Sequence, residues 1–249
     1  MSDFYESDQA LSEYLLFHYG DPDLQMPWTH GPLAATDFPV RCVETALDSY
    51  PLPADARALE LGCAVGRAAF ELSRSCARII ALDRSAAFIA AARRLQSHGR
   101  IDFTIPVEGP LTQRTTARTP VGSFPERIQF EVGDALHLPA DLGTFDLVLA
   151  ANLLDRLPDP VRFLSNVESL VKPEGRLLLT SPYTWLETYT PRPSWLCADG
   201  RRTSEVLHSL LPGFRLLRRV DLPFVIREHA RKFQWSVAEA TLWQRCSPA

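Results

Sequence analysis

Short apolar runs separated by stretches with helical spacing dominate the chain. Five runs have the length and composition of buried parallel strands, and they cover residues 57–61, 78–82, 128–132, 145–150 and 176–181. Helical patterns follow Ser85 and Asp159, either of which can cap a helix. The second pattern would bury Val161, Leu164 and Val167 on one face. Strands that alternate with helices predict an α/β fold with a doubly wound, mostly parallel sheet.

Two further regions surround or interrupt this alternation. Residues 8–19 and 38–50 have helical spacing and predict an N-terminal helical cap over about residues 1–50. Residues 97–126 are rich in glycine and proline and are too long for an ordinary connection, so they predict an insertion. Alternation at 100–107 indicates a hairpin, with a mobile loop after it. The insertion either covers a site or only elaborates the surface.

The C-terminal part of the chain predicts the last strands of the sheet. A helix near 204–211 precedes two β-like runs, at 214–220 and 233–243, that a short connection joins. Together with the five earlier runs they predict a Rossmann-like, seven-stranded sheet with an antiparallel last strand and helices on both faces. We expect residues 1–249 to form a single domain.

The turn after the first strand has the most informative pattern. Gly62 and Gly66 let the backbone turn sharply before a helix, and Glu60 stands ahead of them. The dinucleotide fingerprint has glycines that bring a pyrophosphate to the helix N-terminus, whereas here the spacing is Glu-x-Gly-x-Ala-x-Gly. An acid at this place would repel phosphate but could pair with an ammonium group. The cofactor that joins adenosine to an α-amino acid is S-adenosylmethionine.

A second acid stands at the spacing that this interpretation requires. The strand 78–82 ends in Asp83, about twenty residues beyond the glycines, where a carboxylate would hold the ribose hydroxyls. The alternative for Glu60 and Asp83 is solvated charge at the ends of strands.

The turn resembles motif I of the Rossmann-like methyltransferases. In that fold an acid after the third strand commonly binds the adenine amino group, and Asp134 with Ala135 matches this position. The resemblance implies a cofactor site for S-adenosylmethionine made of eleven residues: Glu60, Gly62, Cys63, Ala64, Gly66, Asp83, Arg84, Asp134, Ala135, Asn152 and Leu153.

Several stretches are similar to one particular family, the mercaptohistidine ring-nitrogen methyltransferases of ovothiol biosynthesis. They are residues 5–8 with 13–20, 61–67, 151–157, 181–185, and 226–228 with 231–235. The resemblance implies S-adenosylmethionine-dependent methylation of a ring nitrogen of 5-mercaptohistidine, giving ovothiol and S-adenosylhomocysteine. In that family the domain is fused behind a sulfoxide synthase or stands alone, so we expect either a free-standing enzyme or a partner to a separately encoded sulfoxide synthase. The alternatives are a methyltransferase for a related thio- or seleno-imidazole or another small molecule, and a noncatalytic S-adenosylmethionine-binding module.

Position along the chain suggests which residues face the acceptor molecule, because most of the candidates follow the fourth and fifth strands or lie on the N-terminal helix. The predicted catalytic residues are Asn152, Asp155 and Tyr183. The predicted substrate-binding residues are Tyr14, His18, Tyr19, Asp155, Arg156, Trp185 and Arg227. Plain packing is the alternative for the aromatic residues and for His18, and a cap with a surface arginine is the alternative for Asp155 and Arg156.

Composition excludes other classes of function. The chain is 46% hydrophobic and 22% charged, and its net charge of −4 gives no electrostatic footprint for nucleic acid. The five cysteines form no C-x-x-C pair, so we expect reduced thiols and no metal site. The acidic N-terminus does not resemble a signal peptide and no apolar run has the length of a membrane span. These features predict a cytoplasmic location without membrane contact.

Overall fold

A seven-stranded sheet forms the centre of the computed structural model, which describes residues 3–47 and 51–247. Its strands are β1 (Arg57–Leu61), β2 (Arg78–Asp83), β5 (Ile128–Val132), β6 (Phe145–Ala151), β7 (Val171–Ser181), β8 (Phe214–His229) and β9 (Lys232–Arg245). The remaining strands, β3 (Arg100–Glu108) and β4 (Leu111–Arg118), pair only with each other.

The strand order is β5-β2-β1-β6-β7-β9-β8. The pairs from β5 to β7 are parallel, and β9 runs antiparallel to both β7 and β8. This order confirms the predicted fold class. The chain reverses its direction of winding between β1 and β6, so a crevice opens beyond the carboxyl ends of these two strands.

Helices cover both faces of the sheet. They are α1 (Asp8–Tyr19), α2 (Pro22–Gln25), α3 (Phe38–Leu47), α4 (Arg67–Leu72), α5 (Ala86–His98), α6 (Pro160–Leu170) and α7 (Thr203–Leu210). Ala58 of β1 packs in a core that includes residues of α1, α3, α4 and α5. Its neighbours Leu59 and Leu61 pack in a second core with α6 and α7. Successive residues of the strand therefore face opposite layers, as its pleat requires.

Local sequence explains where two of these helices begin. The Ser85 hydroxyl accepts a hydrogen bond from the Phe88 amide, and Asp159 accepts one from the Arg162 amide. The predicted buried face of α6 is wrong at one position. Val161 is 42% exposed, whereas Phe163 is buried.

Two predicted boundaries also need correction. The helix expected at 38–50 ends at Leu47, and residues 48–50 lie outside the described part of the chain. In the insertion, residues 111–118 form β4 rather than a mobile loop. They pair antiparallel with β3 from Arg100 opposite Arg118 to Glu108 opposite Leu111.

Candidate cofactor and acceptor site

A cavity of about 440 Å³ lies beyond the carboxyl ends of β1, β2, β5 and β6. Eleven of the sequence-predicted residues line it: Glu60, Gly62, Ala64, Asp83, Arg84, Ala135, Asn152, Leu153, Tyr14, His18 and Arg156. The remaining walls come from α1, α3 and the hairpin of β8 and β9, mostly through aromatic and apolar side chains. The crevice that the strand order predicts is thus a cavity walled by several elements of the fold.

The turn between β1 and α4 forms the floor of this cavity. Gly62 has a φ of 75° and Gly66 a φ of 85°, conformations that side chains rarely adopt. A Cβ atom at Gly66 would lie 2.6 Å from the Phe130 ring, so this glycine serves packing rather than ligand contact. The Tyr19 hydroxyl donates to the Val65 carbonyl at 2.7 Å and holds the turn from above.

Glu60 places a carboxyl group in the cavity wall, and one oxygen of this group has no hydrogen-bond partner. Its side chain is buried and its Oε2 atom has no hydrogen-bond partner. Burial, together with the nearby charge of Asp83, raises the pKa of Glu60 to about 8. An isolated buried carboxyl is costly unless a cation joins it. The ammonium group of S-adenosylmethionine fits this requirement.

Asp83 bridges two segments at the end of β2. Its carboxylate accepts hydrogen bonds from the Ala64 amide at 2.8 Å and the Ser85 amide at 2.9 Å. Burial raises its pKa, although these two amides oppose the shift. The carboxylate therefore ties the turn to β2 while it lines the cavity, and its unused lone pairs fit ribose hydroxyls.

The predicted adenine contact of Asp134 is not formed by its side chain. Asp134 accepts hydrogen bonds from the Leu136 amide at 2.9 Å and from the His137 ring at 3.2 Å, and it does not line the cavity. To contact a ligand, the Asp134 side chain would have to give up these local hydrogen bonds. The backbone beside it, at Gly133 and Ala135, forms this wall instead.

An N-terminal segment closes the cavity, and the sequence did not assign it a role in the site. Glu6 accepts hydrogen bonds from the Ala86 and Ala87 amides at the start of α5, at 2.9 Å and 3.2 Å. The Ser85 hydroxyl donates to the Tyr5 carbonyl at 2.9 Å. These bonds hold the Tyr5 ring in the wall, next to Tyr14 and Phe88.

His18 is a neutral group in this wall. Its Nδ1 atom is inaccessible and has no partner. Burial, and then the charge of Arg67, lower the pKa of His18 to about 3. The imidazole is therefore uncharged at neutral pH and is a poor proton acceptor there.

Arg156 reaches the cavity, whereas its predicted partner in substrate binding does not. Asp155 is completely buried, and it accepts hydrogen bonds from Arg156 at 2.9 Å and from the Thr184 amide at 2.9 Å. The Arg156 guanidinium stacks on Tyr189, 5.1 Å from the ring centroid. Asp155 is thus a positioning residue that aims Arg156, which corrects its predicted role as a substrate contact.

Six further predicted residues do not line the cavity, and each has a different task. The Tyr183 hydroxyl donates to Glu239, and the Trp185 indole donates to Thr203. Arg227 donates to the Leu24 carbonyl. Tyr19 and Gly66 shape the turn as described above, and Cys63 is buried in the core. Each of these groups packs in the scaffold rather than in the cavity wall, so the structure does not support its predicted contact with ligand.

The hairpin of β8 and β9 supplies a wall that was also missed. Phe224, Ile226, Gln234 and Ser236 line the cavity from its two strands. They alternate along each strand with residues that face the other way. On β9 the apolar and polar residues alternate at 233–236, a pattern that could have identified Gln234 and Ser236, whereas residues 222–226 are all apolar and gave no such signal.

Asn152 is held at the end of β6 with a φ of 51°. Its backbone N–H donates to the Thr180 carbonyl at 2.8 Å, and its side-chain oxygen accepts from the Thr180 hydroxyl at 2.9 Å. These contacts fix the side chain at the cavity wall.

Within 3–47 and 51–247, no three His, Cys, Asp or Glu side chains are grouped so as to hold a metal ion. None of the helices in these ranges combines the length and the apolar character that crossing a bilayer requires.

Residues 59–179 match a protein-family model described as a methyltransferase domain. The chain is 32% identical to the demethylmenaquinone methyltransferase of Lactiplantibacillus plantarum over 115 residues, which are 43% of this chain and 44% of that protein. It is 25% identical to the 27-O-demethylrifamycin SV methyltransferase of Amycolatopsis mediterranei, over 72% of this chain and 56% of that protein. The chain thus spans about half the length of these curated relatives.

The fold has a counterpart among solved structures. The N-methyltransferase NodS from Bradyrhizobium japonicum WM9, in complex with S-adenosyl-L-homocysteine, aligns with a TM-score of 0.56 at 16% identity. The alignment covers 95% of this chain and 99% of NodS. At this identity the likeness concerns the fold alone.

Proposed function

Residues 59–179 are a class I S-adenosylmethionine-dependent methyltransferase domain, and from this premise we propose that the protein methylates a ring nitrogen of 5-mercaptohistidine to give ovothiol. The observation that carries the proposal is the composition of the cavity. Glu60 and Asp83 lie at the end of the cavity that we assign to the cofactor, and Arg156 lies in its aromatic wall, against Tyr189. The sequence resemblance supplies the identity of the acceptor.

The residues at the cofactor end fit S-adenosylmethionine part by part. The Glu60 carboxylate would pair with the ammonium group, and Asp83 would accept from the ribose hydroxyls. The backbone at Gly133 and Ala135 would meet the adenine. When bound, this cofactor supplies an electrophilic methyl group on a sulfonium.

A nitrogen acceptor suits a cavity in which the lining histidine, His18, is neutral. A neutral imidazole nitrogen attacks through its own lone pair, so no side chain has to remove a proton first. The low pKa of His18 removes the nearest histidine as a base at neutral pH. The thiolate of mercaptohistidine is a competing nucleophile, so the walls must select nitrogen by orientation. Asn152 and the aromatic residues of α1 line the cavity and would make this selection.

Arg156 is proposed to bind the α-carboxylate of the acceptor. Asp155 and the Thr184 carbonyl fix one guanidinium nitrogen, and Tyr189 supports the plane of the group. A guanidinium held in this way loses little entropy when it pairs with a carboxylate. The acceptor would therefore be an amino acid rather than a neutral ring.

Product analysis tests the proposed function. The protein is incubated with methyl-labelled S-adenosylmethionine and one acceptor at a time. The acceptors are 5-mercaptohistidine, its selenium analogue, histidine and a demethylated quinone. We expect label on a ring nitrogen of mercaptohistidine. Label only on another acceptor would replace this substrate, and tight cofactor binding with no transfer to any acceptor would favour a noncatalytic cofactor-binding module.

Arg156→Gln provides a prediction about substrate recognition. We expect KM for 5-mercaptohistidine to rise at least roughly tenfold, equivalent to about 1.4 kcal/mol, because the carboxylate loses its partner. Decarboxylated mercaptohistidine, which has no carboxylate, should show a change of less than about twofold. Steady-state kinetics with both acceptors measures the difference.

Tyr183→Phe serves as the control for that variant. Its hydroxyl bonds to Glu239 outside the cavity, so kcat and KM should stay within about twofold of wild type. A large loss of turnover in Tyr183→Phe would show that the Tyr183 hydroxyl takes part in the reaction. Equal losses for both acceptors in Arg156→Gln would refute carboxylate recognition.

The similarity to a demethylmenaquinone methyltransferase favours a second candidate, methylation of a quinone-like ring. The aromatic wall would accept such a ring, but Arg156 would then lack a carboxylate partner.

The proposed substrate also requires prior formation of a carbon–sulfur bond on histidine. We therefore propose a separately encoded sulfoxide synthase as a pathway partner.

A further inference from the structure

A second concavity lies on the other side of the hairpin of β8 and β9. It has a volume of about 440 Å³ and is lined by the loop after α2 and by the start of β9. Its main side chains are Met26, Trp28, His30, Arg231, Phe233 and Trp235. It shares no lining residue with the cofactor cavity. We call it the aromatic groove.

The pleat of β9 separates the two sites. Phe233 and Trp235 line the aromatic groove, while Gln234 and Ser236 line the cofactor cavity. Because successive side chains of a strand point to opposite faces, one strand supplies a wall to each site. A ligand in the groove would therefore not need to enter the cavity.

The aromatic walls of the groove are held in place. The Trp28 indole donates a hydrogen bond to the Ala230 carbonyl at 3.1 Å. The Arg231 guanidinium lies 5.4 Å from the centroid of the Trp28 ring. The tip of the hairpin thus fixes both the loop and the position of a cation at the rim.

The groove exposes apolar surface that folding usually covers. Trp235 is 56% exposed, and Val237 on the same side of β9 is also exposed. Exposed aromatic side chains grouped in a concavity are typical of binding sites. The ionisable side chains lining it are His30 and Arg231, and none of the described residues in this lining is Asp or Glu. In a chain of net charge −4 this local excess of positive charge favours an anion.

We propose that the aromatic groove is a second ligand site, which binds a flat aromatic carboxylate. The ring of the ligand lies against the indoles of Trp28 and Trp235, and its carboxylate pairs with Arg231. This second site does not depend on which molecule the enzyme methylates, so its test is separate from the test of the proposed function.

Calorimetry with the full chain tests the proposal, with indole-3-acetate as the probe and indole-3-acetamide as its neutral counterpart. We expect one saturable site for the acetate and at least roughly fivefold weaker binding of the amide. Trp235→Ala and Arg231→Gln should each weaken binding of the acetate at least about fivefold. Trp235 is exposed, so its replacement leaves the core intact.

Two matched controls locate the binding. Lys232→Gln removes a neighbouring exposed cation that pairs with Glu228 at 2.6 Å, and it should leave the affinity unchanged. Arg156→Gln alters the cofactor cavity and should also leave it unchanged. The proposal is overturned by no saturable binding up to about 10 mM. It is also overturned if Arg156→Gln abolishes binding while Trp235→Ala does not.

Discussion

Glu60→Gln is expected to stabilise the fold and at the same time to weaken cofactor binding. In the protein without ligand, the carboxyl group is buried with Oε2 unpartnered, and its pKa is raised to about 8. A neutral amide removes the cost of ionising this group. It also removes the charge that would pair with the ammonium group of the cofactor, so S-adenosylhomocysteine should bind at least roughly tenfold more weakly.

The sign of the stability effect follows from the pKa shift. A carboxyl whose folded pKa is raised favours the fold fully below its ordinary pKa of 4.5, and this contribution is lost as pH rises through about 8. Each pKa unit corresponds to roughly 1.4 kcal/mol, so Glu60→Gln should gain on the order of 4 kcal/mol relative to wild type at about pH 8. Near pH 4 the gain should vanish. Urea unfolding at both pH values measures it.

Glu71→Gln is the matched control for this prediction. Glu71 is also a buried acid, but it pairs with Arg67 at 2.8 Å and with Arg74 at 3.1 Å. Its replacement should lower the free energy of unfolding by about 1 kcal/mol or more, because both arginines lose their partner. If Glu60→Gln also destabilises the protein and leaves cofactor affinity unchanged, the role assigned to Glu60 is wrong.

Gly62→Val is expected to abolish cofactor binding while the protein still folds. Gly62 has a φ of 75°, and a Cβ atom there would lie 3.2 Å from Leu153 Cδ1 at the floor of the cavity. A branched side chain would fill space that the ligand needs. We expect affinity for S-adenosylhomocysteine to fall at least roughly a hundredfold, about 2.7 kcal/mol.

Gly122→Val separates ligand exclusion from backbone strain. Gly122 has a φ of 79° and no atoms within 4 Å of its added Cβ, so it carries a similar conformational cost far from crowding. Both variants should lose stability, but Gly122→Val should bind S-adenosylhomocysteine like wild type. Equal affinity in the two variants would mean that the turn is not part of the cofactor site. Circular dichroism and calorimetry of both proteins provide the comparison.

The sequence was most informative where one short segment determines the local geometry. The strand and the glycine turn around Glu60 and Gly62 are determined by residues that are neighbours in the chain. The apolar runs of the other strands are likewise visible in the sequence, because both faces of the sheet are buried. The hairpin strand at 111–118 was missed for the opposite reason. Its side chains are almost all polar, and its order comes from pairing with 100–108 rather than from an apolar face.

Side-chain direction was the part that the sequence could not provide. Tyr183 follows β7 as a site residue would, but its φ of 52° and its bond to Glu239 belong to contacts between distant segments. Asp134 likewise follows β5 and then caps its own turn. Position at the end of a strand therefore indicates which segments lie near the cavity, but not which of the nearby polar groups enters it.

Calorimetric titration of the wild-type protein with S-adenosylhomocysteine, compared with 5′-methylthioadenosine, tests the central claim that the cavity at Glu60 holds the cofactor. The second ligand lacks the amino-acid end, so it should bind at least roughly tenfold more weakly. Glu60 is protonated below about pH 8 in the free protein, and pairing with the ammonium group favours its ionised form. Affinity for S-adenosylhomocysteine should therefore rise with pH up to about 8, with release of a proton. No binding of S-adenosylhomocysteine, or equal and pH-independent binding of both ligands, would contradict this account.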